Sequence, residues 1–583
     1  MEVPSRRGGA VSRLPDPPEG VSWAGMSPSR PGISRPVRAL LAPVLVPVLA
    51  ASLLSACATP PPPEPEEPRV NVSRAEEIAV GERAFGPAVQ AQGGAWSVDP
   101  AVAAYVDEVG WAVARESERP DLPYAFVVLD TPEPTAWALP SGKIGISRAL
   151  LAELSSEAEL AALLAHEVAH AGVRRGTRRL EQQILLNLGN AGVLTGVGEQ
   201  QEELVVGPAR VGVTLIRRRY DAPEELDADR QAMEAMSRAG YDPAAAVTLL
   251  EDLLGRRNAR EPGWQAGLLG AHPPTPERIA AARRTAAALP RGGTVGTKRH
   301  EAMVAPIRAA RPAYELAAEA ELDLGMGDME AGLAKAREAA EMEPREAEFV
   351  SLEAQALLLD KRWDEAVAAA DRAVALDPDD FRPWQMRGLA RKGAGDAAGA
   401  RRDLARSIDL LPLATSLLNL AELELDADET EPAREHLRLA AGTGSPAAIE
   451  AAGMLTRMEI GEIPGRYVSV GVGVQRDGYL YLIVENRSPL RIRDVTVSVT
   501  LPDTGEGPVT TEFTYPGPFE PLRRTRRVTD YGPVPRDAGV GARAEVTAAA
   551  LVEEPEDEAP EDGDGETGGA AVPDPGAADV PGL

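Results

Sequence analysis

The chain has 583 residues, with 90 acidic against 61 basic side chains, a formal net charge of −29 and a single cysteine. That charge argues against nucleic acid as a partner and against docking on anionic lipid through charge, since both would repel it. One cysteine rules out internal disulfides, and the length exceeds what one hydrophobic core holds, predicting about three to four domains.

The first 57 residues read as a leader. Arg30, Arg35 and Arg38 precede an apolar run from Ala39 to Ala56, which ends Leu54-Ser55-Ala56-Cys57. A basic start, an apolar middle and small residues at the cleavage point describe a secretory signal. As a membrane span the run is near the lower length limit, and Pro43 and Pro47 break it. The residues before the cysteine resemble a bacterial lipobox, which implies lipidation of Cys57 and anchoring to a membrane. Residues 58–69, rich in Pro and Glu, are expected to form an extended tether.

A catalytic domain is expected over residues 70–290. Its centre is His166-Glu167-Val168-Ala169-His170, which uses two of only five histidines. Leu160, Leu163 and Leu164 recur at helical spacing, and no Gly or Pro follows them before Gly172. Ser156 with Glu159 is a capping-box signature. On a helix, positions four apart share one face, so both imidazoles can hold one metal ion. Glu167 then stands close enough to take a proton from a metal-bound water. This is the HExxH arrangement of zinc peptidases.

A further ligand is expected downstream. Pro223-Glu224-Glu225-Leu226-Asp227-Ala228-Asp229-Arg230 opens a helix that Gly240 stops. Glu225 and Asp229 lie one turn apart; one could bind metal while the other orients a ligating imidazole. Glu224 and Asp227 read as solvated charges. The span from Ile184 to Tyr220, Gly-rich between Gly189 and Gly198, is compatible with a mobile lid or plug over the metal.

Two further stretches stand out: Thr135-Ala136-Trp137-Ala138-Leu139-Pro140-Ser141-Gly142-Lys143-Ile144, followed by an apolar alternation to Leu150, and His272-Pro273-Pro274-Thr275-Pro276-Glu277-Arg278. With these, the chain from about Val70 to Leu289 resembles the membrane-associated gluzincin peptidases of the HtpX and CAAX-prenyl-protease type. The likeness is greatest to their periplasmic, BepA-like branch. It departs from the family pattern at Thr135, Ser141 and Asp221-Ala222. The resemblance implies one Zn2+ per chain, with Glu225 as third ligand and Asp229 as the carboxylate supporting a ligand. It also implies an edge strand over Ile144–Leu150 that holds substrate extended. His272 would close the open metal position as an inhibitory fourth ligand, and Arg278 would steady the oxyanion.

From 310 to 459 the chain is Ala/Leu/Glu/Arg-rich, and Pro344, Pro378, Pro412 and Pro446 recur every 34 residues. That period is the tetratricopeptide signature and predicts a solenoid holding peptides or partner proteins. Over 464–552 the period falls to two. Val468, Val470, Val472 and Val474 alternate, Asp477-Gly478 offers a turn, and Tyr479–Val484 and Val495–Leu501 read as strands, predicting a small β-sandwich. Residues 553–583 are acidic, Pro/Gly-rich and without basic or aromatic residues, as in disordered tails.

The expected fold class is therefore multidomain: a mainly helical α+β zincin-like peptidase domain, an α-solenoid and a C-terminal β-sandwich. The resemblance implies a membrane-anchored zinc endopeptidase of the bacterial envelope, facing the periplasm from the outer membrane. It would act in quality control or outer-membrane protein assembly. Unfolded or misassembled envelope proteins would be substrates, and the repeats would recruit them or an assembly machine. The alternative is a chaperone-like repeat adaptor with a plugged or vestigial protease site.

Overall fold

A computed structural model describes residues 73–172, 220–442, 445–502, 507–535, 539 and 541–552. The expected leader, Cys57, the tether, residues 184–219 of the expected lid and the acidic tail lie outside the described residues.

Helix α1 (Arg74–Gln90) opens on a capping box. The Ser73 hydroxyl accepts from the Glu76 N–H at 3.3 Å, and the Glu76 carboxylate accepts from the Ser73 N–H at 2.7 Å. Helix α2 (Pro100–Ala114) starts on an Asp99 cap with proline in its first turn. Three short strands follow: β1 (Ala125–Leu129), β2 (Ala136–Ala138) and β3 (Lys143–Ser147). Their order is β1-β3-β2, with β1 parallel and β2 antiparallel to β3.

Here the structure corrects the sequence. Lys143–Ser147 is the central strand rather than an edge, and Arg148 onward is helix α3 (Arg148–Glu153), capped by Ser147. The Ile144-Gly145-Ile146 alternation does not mark one wet and one dry face, because all five residues of β3 are buried. Gly145 is bare so that Trp137 can lie on it; a Cβ there would stand 2.6 Å from the indole. The outer strands are β1 and β2; β2, within the Thr135–Ile144 segment and buried at all three residues, packs against the helix that carries the histidines.

That helix, α4 (Glu157–Gly172), is buried at every position from Glu157 to Ala171, as befits a helix apolar on most sides. Ser156 caps it, accepting from the Glu159 N–H at 3.2 Å; the Glu159 carboxylate reaches back to Ser155 N (2.7 Å), one residue earlier than a standard box. Helix α5 (Ala222–Arg238) begins on a full capping box between Asp221 and Glu224, and Gly240 ends it at φ 87°. Helices α6 (Ala244–Ala259), α7 (Pro262–Ala266), α8 (Leu268–Ala271) and α9 (Pro276–Ala288) complete this layer.

The interval that the sequence leaves between peptidase and repeats is bridged by one 29-residue helix, α10 (Thr297–Gly325). It packs on α2, α3 and α4 at one end and on the first repeat helices at the other, and a single apolar core runs from Trp96 to Ala390. Polar contacts reinforce the junction. Trp96 Nε1 donates to Tyr314 Oη at 2.8 Å, Arg148 pairs with Asp130 at 2.5 Å and stacks 3.3 Å over the Tyr314 ring, and Tyr314 donates to Glu346.

The repeats are helix pairs packed on their chain neighbours: α11 (Met329–Met342), α12 (Ala347–Leu359), α13 (Trp363–Leu376), α14 (Phe381–Gly393), α15 (Ala397–Leu410), α16 (Ala414–Leu425), α17 (Thr430–Ala440) and α18 (Pro446–Glu459). Pro344, Pro378 and Pro412 each fall two residues past a helix end, whereas Pro446 opens α18. A second marker keeps the register. Left-handed residues Gly327, Lys361, Gly395 and Asp428 close the alternate turns, at spacings of 34, 34 and 33.

After a short helix α19 (Pro464–Tyr467), two antiparallel three-stranded sheets share one core. One holds β4 (Val468–Val474), β5 (Leu480–Asn486) and β8 (Arg524–Val528) in the order β4-β5-β8. The other holds β6 (Ile492–Leu501), β7 (Val509–Tyr515) and β9 (Arg543–Leu551) in the order β7-β6-β9. Gly478, at φ 92°, makes the expected turn between β4 and β5.

Candidate metal centre

Helix α4 supplies His166 and His170 from one face, their rings 4.5 Å apart and edge to face. Helix α5 supplies Glu225 and Asp229, and the α8–α9 segment supplies His272 and Arg278. All six side chains are buried. His166 Nε2 lies 3.0 Å from His170 Nε2, 3.3 Å from His272 Nδ1 and 3.6 Å from Glu225 Oε2. Glu225 Oε1 lies 3.3 Å from His170 Nε2 and 2.9 Å from His272 Nδ1.

These separations suit a metal. Ligand atoms about 2.0–2.1 Å from a tetrahedral zinc stand roughly 3.3 Å from one another. Ring nitrogens turned toward each other at this spacing cannot all hydrogen-bond, because a neutral imidazole has one donor and one acceptor. A cation among them uses every lone pair. Glu167 adds to the fit: it is 0% exposed, its Oε1 lies 3.5 Å from His272 Nε2, and neither oxygen has a hydrogen-bond donor among the described residues. A buried carboxylate with that much unmet accepting capacity suits a water-activating role.

A second layer holds the ligands in place. Asp229 Oδ1 meets His166 Nδ1 at 3.0 Å, which turns Nε2 toward the centre. Arg278 grips Asp229 with two bonds of 2.7 Å from Nε and Nη2, and its Nη1 lies 2.5 Å from Glu225 Oε2 and donates to Pro273 O at 3.2 Å. Arg278 thus lies beside the centre, as the resemblance implies, with its guanidinium on both the expected ligand Glu225 and the supporting carboxylate Asp229. Glu224 and Asp227 stay out of the site, capping α5 and pairing with Arg230 respectively.

Tyr220, just before the Asp221 cap, stacks on His170 with ring centroids 3.6 Å apart and lies 5.2 Å from His272. In the sequence it stands only as the end of the expected lid. An aromatic directly ahead of the cap of a ligand helix was the available signal.

Charge within the centre is strongly coupled. Burial opposes a charge on His166, yet its bonds to Asp229 and Glu225 prevail and raise it to about 10. Burial, together with the neighbouring His166 charge, drives His170 well below its ordinary value. Against burial, Arg278 and His166 hold Asp229 down to about 2, and the histidines hold Glu225 far below the carboxylate range. Glu225 is thus held anionic, the state in which a carboxylate can bind a metal.

Residues 100–286 match the family model described as Peptidase family M48. The "Beta-barrel assembly-enhancing protease" of Escherichia coli (strain K12) is 29% identical over 194 residues, 32% of this chain and 39% of that protein. The "Mitochondrial metalloendopeptidase OMA1" of Schizosaccharomyces pombe is 28% identical over 179 residues, 30% of this chain and 50% of that protein. The match therefore spans half or less of these relatives. Among solved structures, the first TPR domain of the human RPAP3 protein aligns at 19% identity with 21% of this chain and 97% of its own, at a TM-score of 0.20. Three imidazoles and a carboxylate thus converge inside the region that matches peptidase family M48, and residues 100–286 form an M48-like metallopeptidase domain on this chain.

Proposed function

We propose that this chain is a zinc-dependent endopeptidase of the bacterial cell envelope. It is anchored through Cys57 and works in protein quality control or outer-membrane protein assembly. The observation that carries the reading is the convergence of His166, His170 and Glu225 beside the buried carboxylate of Glu167. The name of the assembly-enhancing proteases supports the outer-membrane setting.

Bound at His166, His170 and Glu225, zinc would supply a water of lowered pKa and polarise the peptide carbonyl. The chain's own residues do the rest. Glu167 accepts the water's proton and returns it to the leaving amide nitrogen. Asp229 keeps His166 in the tautomer whose Nε2 faces the centre. Strand β2 offers its free edge to an extended substrate backbone. The repeats, sharing a core with the peptidase layer, bring unfolded envelope proteins or an assembly machine to it.

The decisive test is Glu167→Gln in the full chain, assayed on an unfolded outer-membrane barrel protein. Metal content should stay stoichiometric while cleavage falls by roughly 100-fold or more. Turnover near that of the unaltered chain would overturn the assignment.

A second reading rests on His272, whose Nδ1 stands among the ligand atoms. If that ring keeps the fourth position, the chain is a chaperone-like repeat adaptor with a plugged centre. Stable capture of barrel proteins that does not depend on Glu167 or the metal would support it.

A further inference from the structure

In a chain of net charge −29, residues 523–527 read Arg-Arg-Thr-Arg-Arg. They run into β8, the outer strand of the β4-β5-β8 sheet, so one side of its backbone has no strand partner among the described residues. Arg524 pairs with Glu485 at 2.7 Å. Arg526 lies 4.1 Å over the Tyr481 ring and Arg527 5.3 Å over Phe519. Neither these two nor Arg523 forms an ion pair with a described carboxylate, whereas most other arginines here do.

The face beside this strand is apolar as well as cationic. By register, Arg524, Arg526 and Val528 share a side with Glu485, Ile483 and Tyr481. Val528 is 56% and Ile483 41% exposed, and Gly471 opposite Ile483 leaves open space. An unpaired strand edge flanked by arginines and exposed apolar side chains suits an extended acidic peptide.

Such a peptide leaves the same domain. Nine of the fourteen residues from Glu553 to Glu566 are acidic, and no Lys or Arg follows Val552. Val552 N–H donates to Arg491 O at 3.1 Å, which fixes where that segment departs. Asn486 ties this end of the sandwich to the start of β8: its backbone N–H donates to Arg523 O at 3.0 Å, and its side-chain amide donates to Leu490 O and Phe519 O at 2.8 and 3.0 Å. The acidic run therefore emerges where the arginine run begins. Fully extended, fourteen residues reach roughly 46 Å, ample to follow a five-residue strand of about 17 Å.

We propose that β8 with its arginines is a docking strand for extended acidic chain, and that its resident occupant is this chain's own segment 553–566, folded back from Val552. Each arginine–carboxylate contact on a wet surface is weak, but direct tethering gives the segment an effective concentration in the millimolar range. An outside acidic partner would have to displace it first.

The test compares the full chain with a chain ending at Val552, using a fluorescent synthetic peptide of residues 553–583 and anisotropy. The peptide should bind the shortened chain, lose at least about tenfold in affinity between 50 and 500 mM salt, and bind the full chain at least about tenfold more weakly. Arg523→Gln, Arg526→Gln and Arg527→Gln together should reduce binding to the shortened chain by about tenfold or more, with an unchanged circular dichroism spectrum. Equal binding to full and shortened chains, binding indifferent to the three substitutions, or no binding at all would each overturn the proposal. So would a dimer of the full chain that becomes monomeric on shortening, which would assign the occupant to a second copy. A shortened chain that binds anionic phosphatidylglycerol vesicles but not the peptide would overturn it in favour of a lipid surface.

Discussion

Replacing Arg278 by methionine removes its charge at similar length and separates two readings of that residue. Its guanidinium makes two 2.7 Å bonds to Asp229 and stands 2.5 Å from Glu225, so it supports His166 through one carboxylate and a ligand directly through the other. Losing one such support typically lowers metal affinity 10- to 100-fold. With two ligands affected, the upper end is expected: about 100-fold, or about 2.7 kcal/mol. Metal-free protein should suffer more, because two carboxylates only 8% and 2% exposed lose their cation, a change on the order of 3–5 kcal/mol. The assay is zinc titration against a chelating dye, with kcat measured separately at saturating zinc. Arg278→Met should bind zinc about 100-fold more weakly yet recover kcat to within roughly tenfold once saturated. Unchanged affinity with kcat lower by about 100- to 1,000-fold would refute the positioning argument and make Arg278 a donor to the developing oxyanion.

His272→Ala should raise basal peptide cleavage by freeing the fourth position; equal or lower cleavage would remove self-inhibition. Gly145→Ala should destabilise the chain by about 1–3 kcal/mol, because the added methyl meets Trp137 and displaces edge strand β2; an unshifted melting temperature would contradict that packing. Burial and the nearby Asp130 carboxylate raise both Glu346 and Glu348, Glu348 to about 8. In this window the unfolded chain binds fewer protons, so the cost to stability is absent below the ordinary value of 4.5, grows as pH rises, and is complete above about 8. Melting should therefore come earlier at pH 8.5 than at pH 5.5, and Glu348→Gln should shrink the difference; a gap unaltered by Glu348→Gln would refute the assignment to this cluster.

The sequence by itself determined what is local or periodic. Two histidines four apart on an uninterrupted helix must share a face, Pro223 opens a helix that aligns Glu225 with Asp229, and a 34-residue proline period enforces repeated helix pairs. Its register was legible only in part, because the left-handed turn positions carry Gly, Lys, Gly and Asp, and residue type hides what backbone angle reveals. Tertiary structure alone decided the rest. An apolar alternation looks the same in a central strand and at an edge, so only strand pairing put β3 in the centre with β2 outside it, and only packing showed that Gly145 is bare to admit Trp137. Arg278 lies 49 residues from Asp229 and its partner could not be read from spacing. The stacking of Tyr220 on His170 and the single core joining peptidase and repeats through α10 likewise depend on which surfaces meet, and chain order carries no signal of that.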